Sequence, residues 1–570
     1  MAKARLWDVE VQWKTSISTR DGICLDGTVY SPCGQTEPAP CIVALTPYAT
    51  DNLHDHATYF ASRGLPFVVV DVRGRGNSQG QFRPYIHDAR DGYDVVEWVA
   101  SQPYCNGKVG MYGASYLGYV QWIVAGQRPQ HLVTIVPVAS PFLGVDVPMR
   151  NNIFIPYMLR WLSCVEGRAY QQRVFSDTAF WVSLYRRQYE SGISFDEAMG
   201  ARSSIYQEWL SHPTPDEYWD SLNPTDDQYA CCDLPILTIT GTFDGDQPGA
   251  LEHYRRHMRL ASADTRANHY LVIGPWNHAG CGTPKPEFDG IKVGPDSLVD
   301  MHELHYEWYA WLMEKGPKPP LLKKNVAYYV LGAERWRYAS TLEDITERFV
   351  LLYLHSTANP IDVFRSGYLT SDLSGDDEPA EYRYDPRDVS GAVLESMIDE
   401  SCLTEQRMIH ASFGKCLVYH SLPFNEDTEI SGFFKLALWI AIDQPDSDFR
   451  VRVYEINLHG GSLLLASDSL RARYRSGLRE AHLIETRDPL RYDFTNFTFV
   501  SSRVRKGHRL RLVIDSNDSI HEQRNYNCGG AVAAESIQEA QAVTVRLFQD
   551  ALRPSVLHVP LAFQDTEGHS

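Results

Sequence analysis

The stretch from Lys108 to Gly126 constrains this chain more than any other. Lys108–Tyr112 (KVGMY) is a short apolar run of strand character, Gly113-Ala114-Ser115-Tyr116-Leu117-Gly118 interrupts it, and Tyr116–Gly126 carries a helical pattern. A serine between a strand and a helix sits on a sharp turn, with its hydroxyl projecting at the top of the sheet and small neighbours tolerating the strained backbone. The helix that follows supplies backbone N–H groups and the positive end of its dipole. A serine that merely capped a helix after a glycine turn would look the same in isolation, but the strand before and the helix after favour an exposed nucleophile. The second glycine is one position late for G-x-S-x-G, because Leu117 stands there and Gly118 follows.

The surrounding residues alternate buried strands with helices. Ala39–Leu45 and Pro66–Asp71 read as strands, Asp55–Ser62 as a helix with Asp55 at its N-cap, Asp91–Ser101 as an amphipathic helix, and Val133–Val138 as a strand. Such alternation implies a parallel sheet with helices on both faces. From Leu143 to Ala230 strand runs vanish and aromatic residues crowd in. Alternation then returns with Leu234–Gly241, Pro248–Leu260, His269–Gly274 and Asp300–Lys315. Beyond Glu347 the chain becomes short period-two strands such as Phe449–Ile456 (FRVRVYEI), a sandwich signature. The stretch Ser366–Asp388 reads as a long loop. The expected organisation is an α/β domain in two parts (1–142 and 231–346), an inserted helical cap (143–230) and a C-terminal all-β domain (347–570).

Composition narrows the function classes. The 570 residues hold 53 Lys and Arg against 72 Asp and Glu, a formal net charge of −19. An acidic surface repels phosphate backbones, so no nucleic-acid partner is expected. No window approaches 18 apolar residues and the N-terminus lacks a signal-peptide core, so neither a membrane span nor secretion is expected. The 11 cysteines are odd in number and include no Cys-x-x-Cys, which fits free thiols in a reducing cytoplasm. His302-Glu303-Leu304-His305 is not H-E-x-x-H, and Arg73-Gly74-Arg75-Gly76 is not G-x-G-x-x-G. No metal and no cofactor are expected.

A serine hydroxyl needs a base, and the base an orienting carboxylate. Strand LPILTITG runs into Thr242-Phe243-Asp244-Gly245-Asp246, and strand HYLVIG into Pro275-Trp276-Asn277-His278. The order Ser115, Asp244, His278, each just past a strand, is that of an α/β-hydrolase, and the long first gap is what an inserted cap produces. Asp246 rivals Asp244, which is preferred. His253, His257 and His269 lie on helical or strand patterns and read as structural. An oxyanion hole would use the backbone N–H of Tyr116 and a donor from the Leu45–Thr50 loop, where the Tyr48 phenol is the candidate.

Together these residues resemble the cocaine-esterase / X-prolyl dipeptidyl peptidase family of serine hydrolases. The matching pieces are Pro47-Tyr48, Asp71–Gly76, Asp91–Asp94, Gly113–Gly118, Asp244 and Gly274–His278, with Tyr419–Ser421, Ile430–Gly432, Arg471–Arg475 and Asn525–Gly530 in the C-terminal region. The resemblance implies an α/β-hydrolase core, a helical cap and a C-terminal jelly roll. It implies Ser115 as nucleophile, His278 as base, Asp244 as orienting acid, and Tyr48 with the Tyr116 amide as the oxyanion hole. One departure is Thr242-Phe243 before the acid, where the family more often has Trp-Tyr.

The aromatic cap suggests a small apolar or aromatic ester or amide substrate, with Trp161 and Phe243 as lining candidates. Relatives include α-amino-acid ester hydrolases and dipeptidyl peptidases. A free amino group on the substrate needs carboxylates near the acyl site, and Glu166, Asp177 and Glu190 of the cap are candidates. Acyl transfer by the same triad, and a non-catalytic jelly roll that binds carbohydrate, are the alternatives. The jelly roll could pair subunits as a homodimer.

Overall fold

The computed structural model describes residues 6–562 except 201, 374 and 376, so the first five residues of the N-terminus and two positions of the Ser366–Asp388 stretch lie outside the described residues. Two large sheets and a set of cap helices make up the described structure, and the sheets also meet directly, where Leu331 N–H donates to the Ser501 carbonyl and Arg503 N–H to the Leu331 carbonyl.

The first sheet has ten strands in the order Val9–Ser18, Cys24–Pro32, Phe67–Asp71, Ala39–Thr46, Cys105–Ala114, Leu132–Val138, Ile236–Phe243, His269–Asn277, Val326–Val330 and Arg335–Ala339. The run from Phe67–Asp71 to Val326–Val330 is parallel, and its flanks are antiparallel. The N-terminal hairpin, absent from the sequence reading, forms one flank. Its outer strand is largely exposed and hydrophilic, so it lacks the apolar run that marks the inner strands. The inner strands Ala39–Thr46 and Phe67–Asp71 are buried at every position, as strands covered on both faces must be. Helices His54–Ala61, Asp88–Ala100, Tyr116–Gly126, Gln247–Leu260 and Met301–Met313 supply that cover. The first begins one residue before Asp55, which is therefore a first-turn acid and not the N-cap.

Between the strands ending at Val138 and beginning at Ile236 lie, among the described residues, seven helices, Tyr157–Val165 through Asp226–Ala230. Four of them start on a polar side chain that accepts a backbone N–H: Asp177, Ser203, Asp216, and Thr225 in a capping box with Gln228. Trp181, Tyr185, Tyr189, Tyr206, Trp209 and Trp219 are buried, so most cap aromatics form its own core.

The second sheet assembly, Thr346–His355 to Val556–Ala562, has thirteen strands. The supposed Ser366–Asp388 loop contains two of them, Gly367–Thr370 and Ala380–Tyr384. Their exposed positions carry charged and polar residues, which hid the alternation. This domain clamps the cap. Asn151 Nδ2 donates to Asp468 Oδ1 and to the Ser469 carbonyl, both at 2.9 Å, and Arg471 Nη1 donates to the Asn152 carbonyl at 3.0 Å. The architecture is thus the expected α/β core with an inserted helical cap and a C-terminal all-β jelly roll. All 11 cysteines are free.

Candidate active site

Parallel strands deliver their C-terminal ends to one edge of a sheet, which is where such folds place their sites. Ser115, Asp244, His278 and Tyr48 each follow a strand of the parallel run, at that edge.

Ser115 has φ 60° and ψ −125°, a conformation that costs a side-chain-bearing residue energy and persists only where its surroundings impose it. The surroundings are explicit. Ser115 N–H donates to the Val138 carbonyl at 2.9 Å, while its own carbonyl accepts the Tyr119 N–H at 3.0 Å. Gly113 lies at φ +142°, and a Cβ there would stand 2.3 Å from Leu117 Cβ. Gly118 faces the Val138 carbonyl, which a Cβ would meet at 2.6 Å. The late glycine is therefore required where the helix crosses the next strand end, and Leu117 is tolerated because Gly113 leaves room for it.

His278 Nδ1 lies 2.8 Å from Asp244 Oδ1. Asp244 is buried, and its other oxygen accepts from Thr240 Oγ1 at 3.0 Å. The His278 side chain keeps 44% exposure, so the ring's outer edge stays accessible. Asp246 stands beside this pair, its Oδ2 3.7 Å from His278 Nδ1. Removal from water opposes charge on His278, but Asp244 and Asp246, with Asp146 behind them, outweigh it and push the ring up to about 9. Burial also raises Asp246 to about 7, eased by His278 and reinforced by Asp244. Asp146, raised by burial and by Asp246, accepts the N–H groups of Phe142 at 2.8 Å and Gly249 at 2.6 Å.

The Tyr48 hydroxyl accepts the Trp161 indole N–H at 3.1 Å. Burial raises its pKa, and the Trp161 hydrogen bond and the neighbouring Ser115 hydroxyl work against that rise. Tyr116 turns its phenol away, donating to Asp88 Oδ2 at 2.6 Å, so only its backbone N–H is available to the site. That N–H is the first of its helix and has no intrahelical acceptor. Trp161 is only 5% exposed, stacked with Tyr85 at 6.0 Å and 12° and with Tyr116 at 5.9 Å and 24°. Phe243 packs with Phe288 in a cluster with Ile291, Val293 and Leu331.

The three cap acids are engaged elsewhere. Asp177 caps a helix, Glu190 pairs with Arg186 at 2.7 Å, and Glu166 accepts from Ser203 Oγ at 3.5 Å; all three are exposed. The acids beside the site come from strand-end loops instead, as Asp146 and Asp246. Asp146 and Tyr85 were missed. The only sequence signal for Asp146 was its place soon after strand Leu132–Val138, and Tyr85 had none. His253 and the His257–His269 pair are buried and hydrogen-bonded inside the core, as structural histidines.

Residues 21–280 match the X-Pro dipeptidyl-peptidase (S15 family) model, and 323–544 match the X-Pro dipeptidyl-peptidase C-terminal non-catalytic domain. A cocaine esterase of Rhodococcus sp. (strain MB1 Bresler) is 24% identical, over 96% of this chain and 97% of its own. An α-amino acid ester hydrolase structure superposes with TM-score 0.83 at 20% identity, covering 98% of both chains. An aminopeptidase from a marine sediment Thaumarchaeota archaeon superposes at 0.81, also 20% identical, covering 99% of this chain and 98% of that one. These two structural likenesses speak for the fold.

Proposed function

This chain belongs to the S15 peptidase and cocaine-esterase group of serine hydrolases, and from that premise we propose that it cleaves a small ester or amide through an acyl-Ser115 intermediate. The observation that carries this reading is the strained Ser115 turn on the same sheet edge as the His278–Asp244 pair. Ser115 Oγ attacks the carbonyl carbon while His278 Nε2 takes the hydroxyl proton. Asp244 holds the ring through Nδ1 and offsets its positive charge. The tetrahedral oxyanion accepts hydrogen bonds from the Tyr48 phenol and the Tyr116 N–H. Collapse expels the alcohol or amine, which carries away the proton from His278. Water, deprotonated by His278, then releases the acid and restores Ser115.

The acyl pocket is expected to have an aromatic wall from Tyr157, which stays 41% exposed within electrostatic reach of Tyr48. One observation favours an α-amino group on that acyl part. Asp246 is a largely buried carboxylate whose charge is felt at Tyr48, Tyr85 and Tyr157, the phenols around the site. An ammonium group would add a counter-charge where His278 alone faces Asp244, Asp246 and Asp146. The test is turnover of p-nitrophenyl acetyl, butyryl, benzoyl and α-aminoacyl esters, with and without an added amine. Nitrophenol release insensitive to amine supports hydrolysis, whereas amide product rising with amine supports acyl transfer. Preference for the aminoacyl ester that disappears in Asp246→Asn would support the α-amino reading; equal turnover of all four esters would remove it.

A further inference from the structure

A tyrosine hydroxyl has one proton and two lone pairs, while an indole N–H can only donate. The Trp161 N–H at 3.1 Å fills one lone pair of Tyr48. The phenol proton cannot point back at another donor, so it is left for the Ser115 side. Trp161 itself cannot turn away, because Tyr85 and Tyr116 stack against it. At 5% exposure it offers a substrate almost no surface, which separates it from an ordinary pocket wall.

The same cap helix reaches Tyr48 by a second route. The buried Arg75 guanidinium donates through Nε to the Pro47 carbonyl at 2.7 Å and through Nη1 to the Val165 carbonyl. Val165 ends helix Tyr157–Val165, and Trp161 sits one turn earlier on it. Tyr48 is thus tied to one cap helix by its side chain and by the main chain that precedes it.

We propose that Trp161 is a positioning residue whose indole N–H aims the Tyr48 phenol at the substrate oxygen, which makes helix Tyr157–Val165 a fixed part of the oxyanion site and not a lid that swings open. The inference rests on Tyr48 being the oxyanion donor. Substrate must then enter past other parts of the cap.

Trp161→Phe keeps an aromatic ring and removes the N–H. It is expected to lower kcat roughly tenfold, less than the roughly 10²–10³ expected for removing the donor itself in Tyr48→Phe, with KM nearly unchanged. The double variant should fall no further than Tyr48→Phe, because the N–H has nothing left to aim. Additive losses, or a rise in KM with kcat intact, would overturn the proposal and leave Trp161 a packing or lining residue. If Trp161→Phe does not fold, site-specific benzothienylalanine, which replaces the N–H by sulfur at constant shape, provides the same measurement. Unchanged kcat in Tyr48→Phe, with Ser115 still labelled by a fluorophosphonate, would instead locate the failure in the Tyr48 assignment, and the proposal would fall with it.

Discussion

Asp244 and His278 are the residues next after Phe243 and Asn277, which face each other across two adjacent parallel strands. Strand register alone therefore brings the two side chains together, and Nδ1 and Oδ1 stand 2.8 Å apart. The register slips between Gly274 and Asn277, which is what lets a nine-residue strand end level with an eight-residue one. Asp244→Asn would keep this shape but lose the charge that favours the N–H on Nδ1. A fall of about 10⁴ in kcat is expected, with little change in melting temperature.

Ser115→Ala should abolish turnover of a p-nitrophenyl ester and labelling by a fluorophosphonate. The circular dichroism spectrum should be that of the wild type, because the hydroxyl caps nothing in the helix that follows. Residual turnover near the wild-type rate would remove Ser115 from the chemistry.

The base must be neutral to accept a proton, and His278 is held up at about 9 by its carboxylate neighbours. The rate constant kcat/KM of the free enzyme should therefore rise with pH and level off only above about 9. Asp246, raised to about 7, is charged over the upper part of that limb. Asp246→Asn removes one of the charges that favour the imidazolium, so the limb should move to lower pH by about one unit. A pH–rate profile checks the direction; a limb that stayed in place or moved upward would contradict the electrostatic account.

Gly113→Ala places a Cβ 2.3 Å from Leu117 Cβ at φ +142°. A loss of roughly 1–3 kcal/mol is expected in chemical denaturation. Leu117→Gly in the same chain should recover part of it by clearing the contact, though a helical glycine itself costs about 1 kcal/mol. No recovery would mean that backbone strain, and not the Leu117 contact, dominates.

Arg471 and Asp448 form a buried pair at 2.8 Å, and Arg471 also reaches the Asn152 carbonyl of the cap. Arg471→Met leaves Asp448 without its cation, at a cost of about 3–5 kcal/mol. Thermal unfolding should shift accordingly, and cleavage by a protease at low dose should increase in the cap, which has lost a tie to the jelly roll.

The parts that were legible in the sequence are those set by short-range pattern. Tyr116–Gly126 was readable as a helix because its residues repeat helically, and Ala39–Leu45 as a buried strand because it is apolar throughout. Once a parallel sheet was implied, residues just past its strands had to share one edge, which is why Ser115, Asp244 and His278 could be named as a set. Charged positions defeated the same reading at Ala380–Tyr384 and in the N-terminal hairpin, where pairing with a neighbouring strand supplies what the local pattern does not.

Sequence by itself thus determined the α/β core, the inserted cap, the β-rich C-terminal domain and three candidate site residues, because periodicity and strand ends are local properties of the chain. Only the tertiary structure decided that Asp246, with Asp146 behind it, and not Glu166, Asp177 or Glu190, acts on His278. It alone placed the Trp161 N–H on Tyr48 and Arg75 between Pro47 and Val165. Each of these contacts joins segments tens of residues apart or more, and their separation in space is set by how the cap docks on the sheet. No window of the sequence carries that distance.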